Sequence, residues 1–244
     1  MKTVNWSFVT SSGWYVDHPE CVKPLLPEDY NPFSSLSKHM IAERKGIVFM
    51  KCPAHTDFLK NTFIFHAPFD ITINIDVDSK TGNGKIFCDN LSQEVFDTII
   101  DTRFLFDDNR GISEYPLLGI DWLLTFQSDE STMIQLLPAF FHYNDFTEKT
   151  TIIPGEFDIS KWTRSVEIAF EVKTPKAKIE IKKGDALAYF KFYSTEQIKL
   201  VEQPNPWDDA KICCDIRLAD TNRPLKERYA ALEKAKATEC PYKP

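Results

Sequence analysis

The residue types able to do chemistry concentrate at a few points of this chain. His55-Thr56-Asp57 has the H-x-D spacing with which a histidine and a carboxylate begin an iron(II) facial triad, leaving three coordination positions open. His142, in the run FFHYND, supplies the distal histidine of such a set, and Arg164 a bidentate partner for the carboxylate of a 2-oxoglutarate co-substrate. On this reading the protein is an Fe(II)/2-oxoglutarate-dependent oxygenase. The same residues have a plainer reading, with His55 in a loop after Pro53 and Asp57 capping a turn. H-x-D is short enough that chance produces it often.

A second concentration is LLPAFFHYNDF, from Leu136 to Phe146. Its rings suit either an edge strand of the core or the wall of an apolar pocket, where Tyr143, Asn144 and Trp162 would orient a ligand by stacking and hydrogen bonding. His66, inside FIFHAPF, reads as a hydrogen-bonded core histidine rather than a ligand. DVDSKTG, from Asp76 to Gly82, starts like a calcium loop but puts Lys80 and Thr81 where an oxygen ligand and a glycine are needed, so it reads as a hairpin turn. The chain contains no Walker loop, no GxSxG elbow, no HExxH helix and no paired-cysteine zinc pattern.

The elements that would position these residues read mainly as strands. NTFIFHAPFDITINIDV alternates as two strands broken at Pro68, and KIFCD returns after the turn DSKTGNGK. LSQEVFDTIIDTRFLF is ambiguous between helix and strand. IDWLLTFQSDESTMIQLLPAFF reads as two strands around SDES, and further strands follow in PGEFDISKWTRSVEIAFEVK and AKIEIKKGDALAYFKFYS. Lys178, Glu180 and Lys182 alternate with Ile179 and Ile181, the pattern of a sheet with one wet face. HMIAERKGIVFMKCP ends in a β-branched and aromatic run. Prolines 19, 24, 27 and 32 mark residues 1–38 as an irregular arm laid over a sheet. Near the other end, Leu225, Tyr229, Leu232 and Lys236 share a helical stripe behind Pro224, which predicts an amphipathic helix that covers its own domain or a second subunit.

Composition bounds the class. In 244 residues there are 19 Phe, 8 Tyr and 5 Trp against 8 Gly, which favours a thick sheet core over a glycine-dependent nucleotide fold. A net charge of -7 argues against broad nucleic-acid binding or binding to an anionic membrane. Cysteines 21, 52, 88, 213, 214 and 240 form no regular framework and read as reduced thiols. With no long apolar run and no leader-like segment at its start, the chain reads as a cytoplasmic protein without a membrane span.

KCPAHTD, LLTFQSDESTMIQLLP, IIPGEFDISKW and IEIKKGDALAYFKFYS together resemble a family of uncharacterised phage and bacterial proteins, domain of unknown function 6065, over roughly residues 47–194. The resemblance brings no known activity. The turn at Pro154-Gly155 with Asp158, followed by IEIKKGDALA, is also similar to the last motifs of trimeric dUTPases and dCTP deaminases, whose fold is a distorted β-barrel of jelly-roll kind. That similarity implies Asp158 near a deoxyribose and Trp162 packed on the sugar. Ala186 stands where those enzymes carry an arginine, Tyr189 replaces their glutamine, and no serine-glycine phosphate motif precedes. Triphosphate hydrolysis needs carboxylates for Mg²⁺ and donors for the phosphates, so the departures point away from an active pyrophosphatase. Independently of that similarity, Gly155 permits a positive-φ turn that Asp158 can cap or brace, and Gly184-Asp185 does the same at the next strand entry.

The resulting expectation is an all-β jelly-roll or distorted barrel over residues 39–204, between the arm (1–38) and a helical tail (205–244). Its function would be binding a small molecule or nucleotide without a cofactor, or assembly as a homo-oligomer. The iron enzyme and a phage structural or assembly protein are the alternatives.

Overall fold

The structure, a computed structural model, describes residues 1–8, 25–26, 29–43, 51–78, 84–102, 115–161 and 165–203. The first half contains β1 (Lys2–Phe8), β2 (Phe33–Ser35), α1 (Leu36–Glu43), α2 (Pro53–Leu59), β3 (Thr62–His66), β4 (Ile71–Val77) and β5 (Gly84–Cys88). Next come α3 (Gln93–Ile99), β6 (Ile100–Asp101), β7 (Leu117–Asp121), β8 (Leu124–Gln127) and β9 (Met133–Pro138). The remainder is α4 (Asp145–Lys149), β10 (Thr150–Ile152), β11 (Gly155–Asp158), β12 (Glu167–Val172), β13 (Lys176–Ile181), β14 (Ala186–Tyr193) and β15 (Ile198–Glu202).

Strands dominate, in four sheets ordered β15-β1-β8, β10-β12-β7-β6, β11-β9-β14-β3-β2 and β13-β4-β5. Every pairing is antiparallel except β1 with β15. The sheets form no closed barrel among the described residues. Three of the outer strands are short, two residues in β6 and three each in β2 and β10, which leaves little backbone to continue the pairing at those edges.

One two-stranded ribbon links two of the sheets. β3 pairs with β14 in the five-stranded sheet, and their chain neighbours β4 and β13 pair in the next. The ribbon turns a corner at Ala67 and Gly184, where each residue's N–H bonds across: Ala67 N to Asp185 O at 2.9 Å, and Gly184 N to Ala67 O at 2.9 Å. Gly184 has φ +90°, a conformation that side chains resist, and Asp185 caps the turn by accepting from Lys182 N at 2.8 Å. Asp70 accepts from Lys183 N at 2.7 Å on the facing strand. His66 Nδ1 donates to Gly184 O at 2.9 Å, so that nitrogen carries the proton and Nε2 accepts from Ser34 Oγ at 2.8 Å. Burial holds the ring's pKa below the usual histidine value, outweighing the hydrogen bond to Gly184 O, which raises it. His66 is thus the hydrogen-bonded histidine that its apolar neighbours suggest.

β3 and β14 are buried on both faces, which is why TFIFH and ALAYFKFY run nearly without polar breaks. Inward from the sheet, Phe65 and Phe190 meet Phe33 of β2 and Phe126 of β8, with ring centroids 5.2 to 5.9 Å apart in tilted and edge-on contacts. Trp6 of β1 joins this group at 5.5 Å from Phe33. The opposite face holds a smaller core of Leu36, Met40, Leu59, Ile64, Ala139, Ala186 and Tyr189, covered by α1 and α2. A bulge between Ala186 and Ala188 lets both Leu187 and Ala188 reach the main core.

Three expectations change here, and one ambiguity is resolved. Residues 2–8, assigned to an irregular arm, are the central strand of a sheet, because Val4, Trp6 and Ser7 are buried between β8 and β15. Phe33–Ser35, also inside the arm, is an edge strand. Gly155 lies in β11, paired with Leu136, and not at a positive-φ turn. LSQEVFDTII becomes α3, with Ser92 accepting from Val95 N as its N-cap, before the chain turns extended at Ile100. The β-branched and aromatic run that ends at Met50 and the expected helix at 225–236 lie outside the described residues. Among the described residues, no helix is long and apolar enough to cross a membrane.

Gly184 and Gly155 make a controlled pair, since a Cβ would meet nothing within 4 Å at either and only Gly184 has a positive φ. Gly184→Ala should therefore cost about 1–2 kcal/mol, and Gly155→Ala close to nothing, in urea unfolding at pH 7. Equal costs would show that φ is not what requires glycine at the corner.

Candidate ligand-binding site

The segment from Pro138 to Thr147 is held over the sheet by side chains that consume its polar groups one by one. Tyr189, with 0% exposure in the centre of β14, accepts Phe141 N–H at 3.0 Å and lies 2.8 Å from His142 Nδ1. Asn144 accepts from Thr147 N at 2.9 Å while Thr147 Oγ1 accepts from Asn144 N at 3.0 Å, a capping box that starts α4. Asn144 also donates to Ala186 O at 2.7 Å, and Thr147 Oγ1 lies 3.0 Å from His142 O. A loop tied at so many points keeps its remaining side chains where they are.

Those side chains border a hollow of about 360 Å³ between the loop, α4 and β10. Pro138, Phe140, Phe146 and Ile152 supply apolar wall; His142, Tyr143 and Thr151 supply polar groups. Tyr143 stands at the rim with 81% of its surface exposed, and Phe140 with 47%. Lys173 borders the same space, its ammonium donating to Glu148 O at 2.8 Å and Thr147 O at 3.4 Å, where α4 ends. The volume suits a small molecule, and the mix of rings with a few fixed polar atoms is the usual make-up of a binding cleft.

Behind the loop, the His142 ring lies 4.5 Å from the ring of His39 on α1, with 36° between their planes. His55 meets Phe141 edge-on at 5.6 Å. Lys191, on the same face of β14 as Tyr189, donates to Phe58 O at 2.7 Å, Asp57 O at 3.1 Å and Lys60 O, closing the C-terminus of α2. These ties dock α2 and the loop onto one strand.

Of the residues singled out from the sequence, Tyr143 and His142 line the hollow. Asn144 is not among the residues lining the hollow; its side chain caps α4 and donates to Ala186 O. His55 and Asp57 are not loop residues. They sit two apart on α2, which puts them about 200° around the helix from each other. Asp57 is exposed and pairs with Lys60 at 2.7 Å. Trp162 and Arg164 lie outside the described residues. Among the described residues, no group of three or more His, Cys, Asp or Glu side chains is arranged to hold a metal.

Asp158 ends β11 with 8% exposure, and four donors converge on it. Thr132 N (3.1 Å), Ser160 N (3.0 Å) and Ser160 Oγ (2.8 Å) reach Oδ1, and Ser131 Oγ (2.7 Å) reaches Oδ2. Burial pushes this carboxyl up, the hydrogen bonds pull it down, and the bonds win, leaving it below the usual aspartate range. The acid in TIIPGEFDISKW therefore braces the Ser128–Thr132 and Ile159–Lys161 turns against each other.

The sequence singled out the ring cluster that contains Phe140, but not His39, Lys173 or the structural parts played by Tyr189 and Lys191. A tyrosine and a lysine inside the apolar run ALAYFKFY were the available signal, since a polar tip on a doubly buried strand must find partners. His39 carried none.

Asp158→Ala should lower stability by about 1–3 kcal/mol at pH 7 by stranding its buried donors. A depressed folded pKa stabilises above the unfolded value of about 3.9 and ceases to as pH falls through the folded value, so the gap to wild type should narrow at pH 3 in urea unfolding. An unchanged gap would deny the carboxylate its bracing role. In anaerobic Fe(II) titration, wild type and His55→Ala should bind alike, because α2 directs His55 and Asp57 apart. Tenfold tighter binding by wild type would reinstate the triad.

No protein-family model matches the chain, and no curated protein matches it.

Proposed function

We propose that this protein is a small-ligand-binding β domain of jelly-roll kind, a noncatalytic relative of the dUTPase-like fold, with its ligand in the hollow beside Tyr143. The observation that carries the reading is an exposed tyrosine ring at the mouth of a 360 Å³ space whose walls are fixed by hydrogen bonds. A preformed wall lowers the ordering cost of binding. The ribbon of β3 and β4 with β13 and β14, bending from one sheet into the next, supports the jelly-roll assignment.

In this reading the ligand lies at Tyr143 and His142 instead of at Asp158, whose carboxylate is engaged by Ser131, Thr132 and Ser160. A flat ring on Tyr143, with its polar edge towards His142, would match the lining. Deoxynucleosides and deoxynucleotides have that shape and remain the first ligands to try, as does the wider similarity to uncharacterised phage and bacterial proteins.

Calorimetry with a panel of deoxynucleosides, deoxynucleotides and aromatic fragments tests this. A binder should lose about tenfold or more in affinity with Tyr143→Ala and little with Asp158→Asn, stacking on an aromatic being worth about 1–3 kcal/mol. Binding that ignores Tyr143 but fails with Asp158→Asn would move the site to the β11 turn, and no heat from any member would overturn the proposal.

A further inference from the structure

Among the described residues, one lysine and one glutamate line the hollow, Lys173 and Glu148, and they are held differently. Lys173 follows β12 directly, and its backbone N–H donates to Lys149 O at 2.9 Å. Its ammonium turns back to Glu148 O at 2.8 Å and Thr147 O at 3.4 Å, so one residue closes three successive carbonyls at the end of α4. An ammonium carries three protons, and these carbonyls take two. Both partners are uncharged, so they fix the head in place and leave its charge at the wall of the hollow. Glu148 is exposed, and its carbonyl is the group that meets Lys173. Asp145, the other acid of α4, is engaged by Lys149 at 2.6 Å and by Glu180 N at 2.7 Å.

The threonine hydroxyls of the same wall sort in a similar way. Thr147 Oγ1 donates to His142 O at 3.0 Å and Thr150 Oγ1 to Phe146 O at 2.7 Å, whereas Thr151 is exposed on the edge strand β10. Pro138, Phe140, Phe146 and Ile152 surround these groups with apolar surface. Apolar walls lower the effective dielectric beside a charge and strengthen its pull on an opposite one.

We propose that the hollow takes a flat-ringed ligand bearing a single acid group, a carboxylate or a monophosphate, with the ring at Tyr143 and the acid on Lys173 and Thr151. This inference rests on the hollow being the ligand site. One anchored ammonium beside one exposed hydroxyl matches one acid group. The further phosphates of a triphosphate would meet Glu148 and find no second lysine or arginine among the described lining residues. A cationic group would face the ammonium. Because Lys173 is itself exposed, water and salt screen the attraction, and the preference it gives is modest.

Calorimetry with matched pairs tests the assignment: thymidine against thymidine monophosphate, and indoleacetamide against indoleacetate. The acid of a pair should bind about three- to tenfold more tightly at about 0.01 M salt, and this preference should largely vanish at about 1 M. Lys173→Gln, whose amide can still donate to the α4 carbonyls, should abolish the preference, and Lys173→Arg should restore it. Glu148→Gln should enlarge it, and thymidine triphosphate should bind about as tightly as the monophosphate. A preference confined to the nucleotide pair identifies the acid as phosphate, and one confined to the indole pair as carboxylate. Pairs that depend on Tyr143 yet bind alike, a Lys173→Gln variant that weakens both members in proportion, or a triphosphate bound tenfold more tightly than the monophosphate would each overturn the acid subsite while leaving the ring site standing. Should Lys173→Gln not fold, a preference unmoved by both salt and Glu148→Gln would overturn it. No heat from any probe would remove the subsite and the ring site together.

Discussion

Phe33, Phe65, Phe126 and Phe190 come from four strands in two different sheets, and their tilted and edge-on contacts pack those sheets face to face. Aromatic rings bury more area per residue than any aliphatic chain, and their quadrupoles add an orientation preference worth about 0.5–1.5 kcal/mol per pair. The knot fixes the direction of β3 and β14. Because side chains alternate along a strand, that choice also decides what the other face presents.

The other face is where the chemistry lies. With Phe65 and Phe190 turned inward, Ile64, His66, Tyr189 and Lys191 must point outward, and three of these four carry polar atoms into partly buried space. Each finds backbone to bind: Tyr189 the loop, Lys191 the end of α2, His66 the ribbon corner. Two short helices and a loop are thereby docked through side-chain-to-backbone bonds and a few apolar contacts. His142 lies against His39 and also lines the proposed ligand hollow, so the ring contact bears on one wall of that hollow.

Asp158 and Gly184 illustrate two kinds of corner. At Gly184 the backbone itself takes a conformation that side chains resist, and the neighbouring Asp185 completes the turn. At Asp158 the backbone is extended and the side chain does the bending, gathering donors from residues 131, 132 and 160. Both hold strand ends in place, yet only the first requires a particular backbone freedom. The acid and the glycine of these stretches thus have a sufficient structural cause in this chain, since a corner needs one or the other whether or not a ligand lies beside it.

The amino-acid sequence alone settled what depends on neighbours in the chain. Alternation in residues 71–77 and 176–181, with the apolar runs of residues 62–66 and 186–193, specified strands, ring content specified a thick core, and Gly184-Asp185 specified a corner. Local signals failed where long-range pairing overrides them. Residues 2–8 become a central strand only because β8 and β15, more than a hundred residues away, lie on either side. His55 and Asp57 are parted by a helix that Lys191 closes from across the sheet. Whether His39 would meet His142, and whether Asn144 would face a ligand or cap a helix, was decided by tertiary structure, since side chains converge according to which faces two distant elements bury against each other and no spacing along the chain encodes that choice.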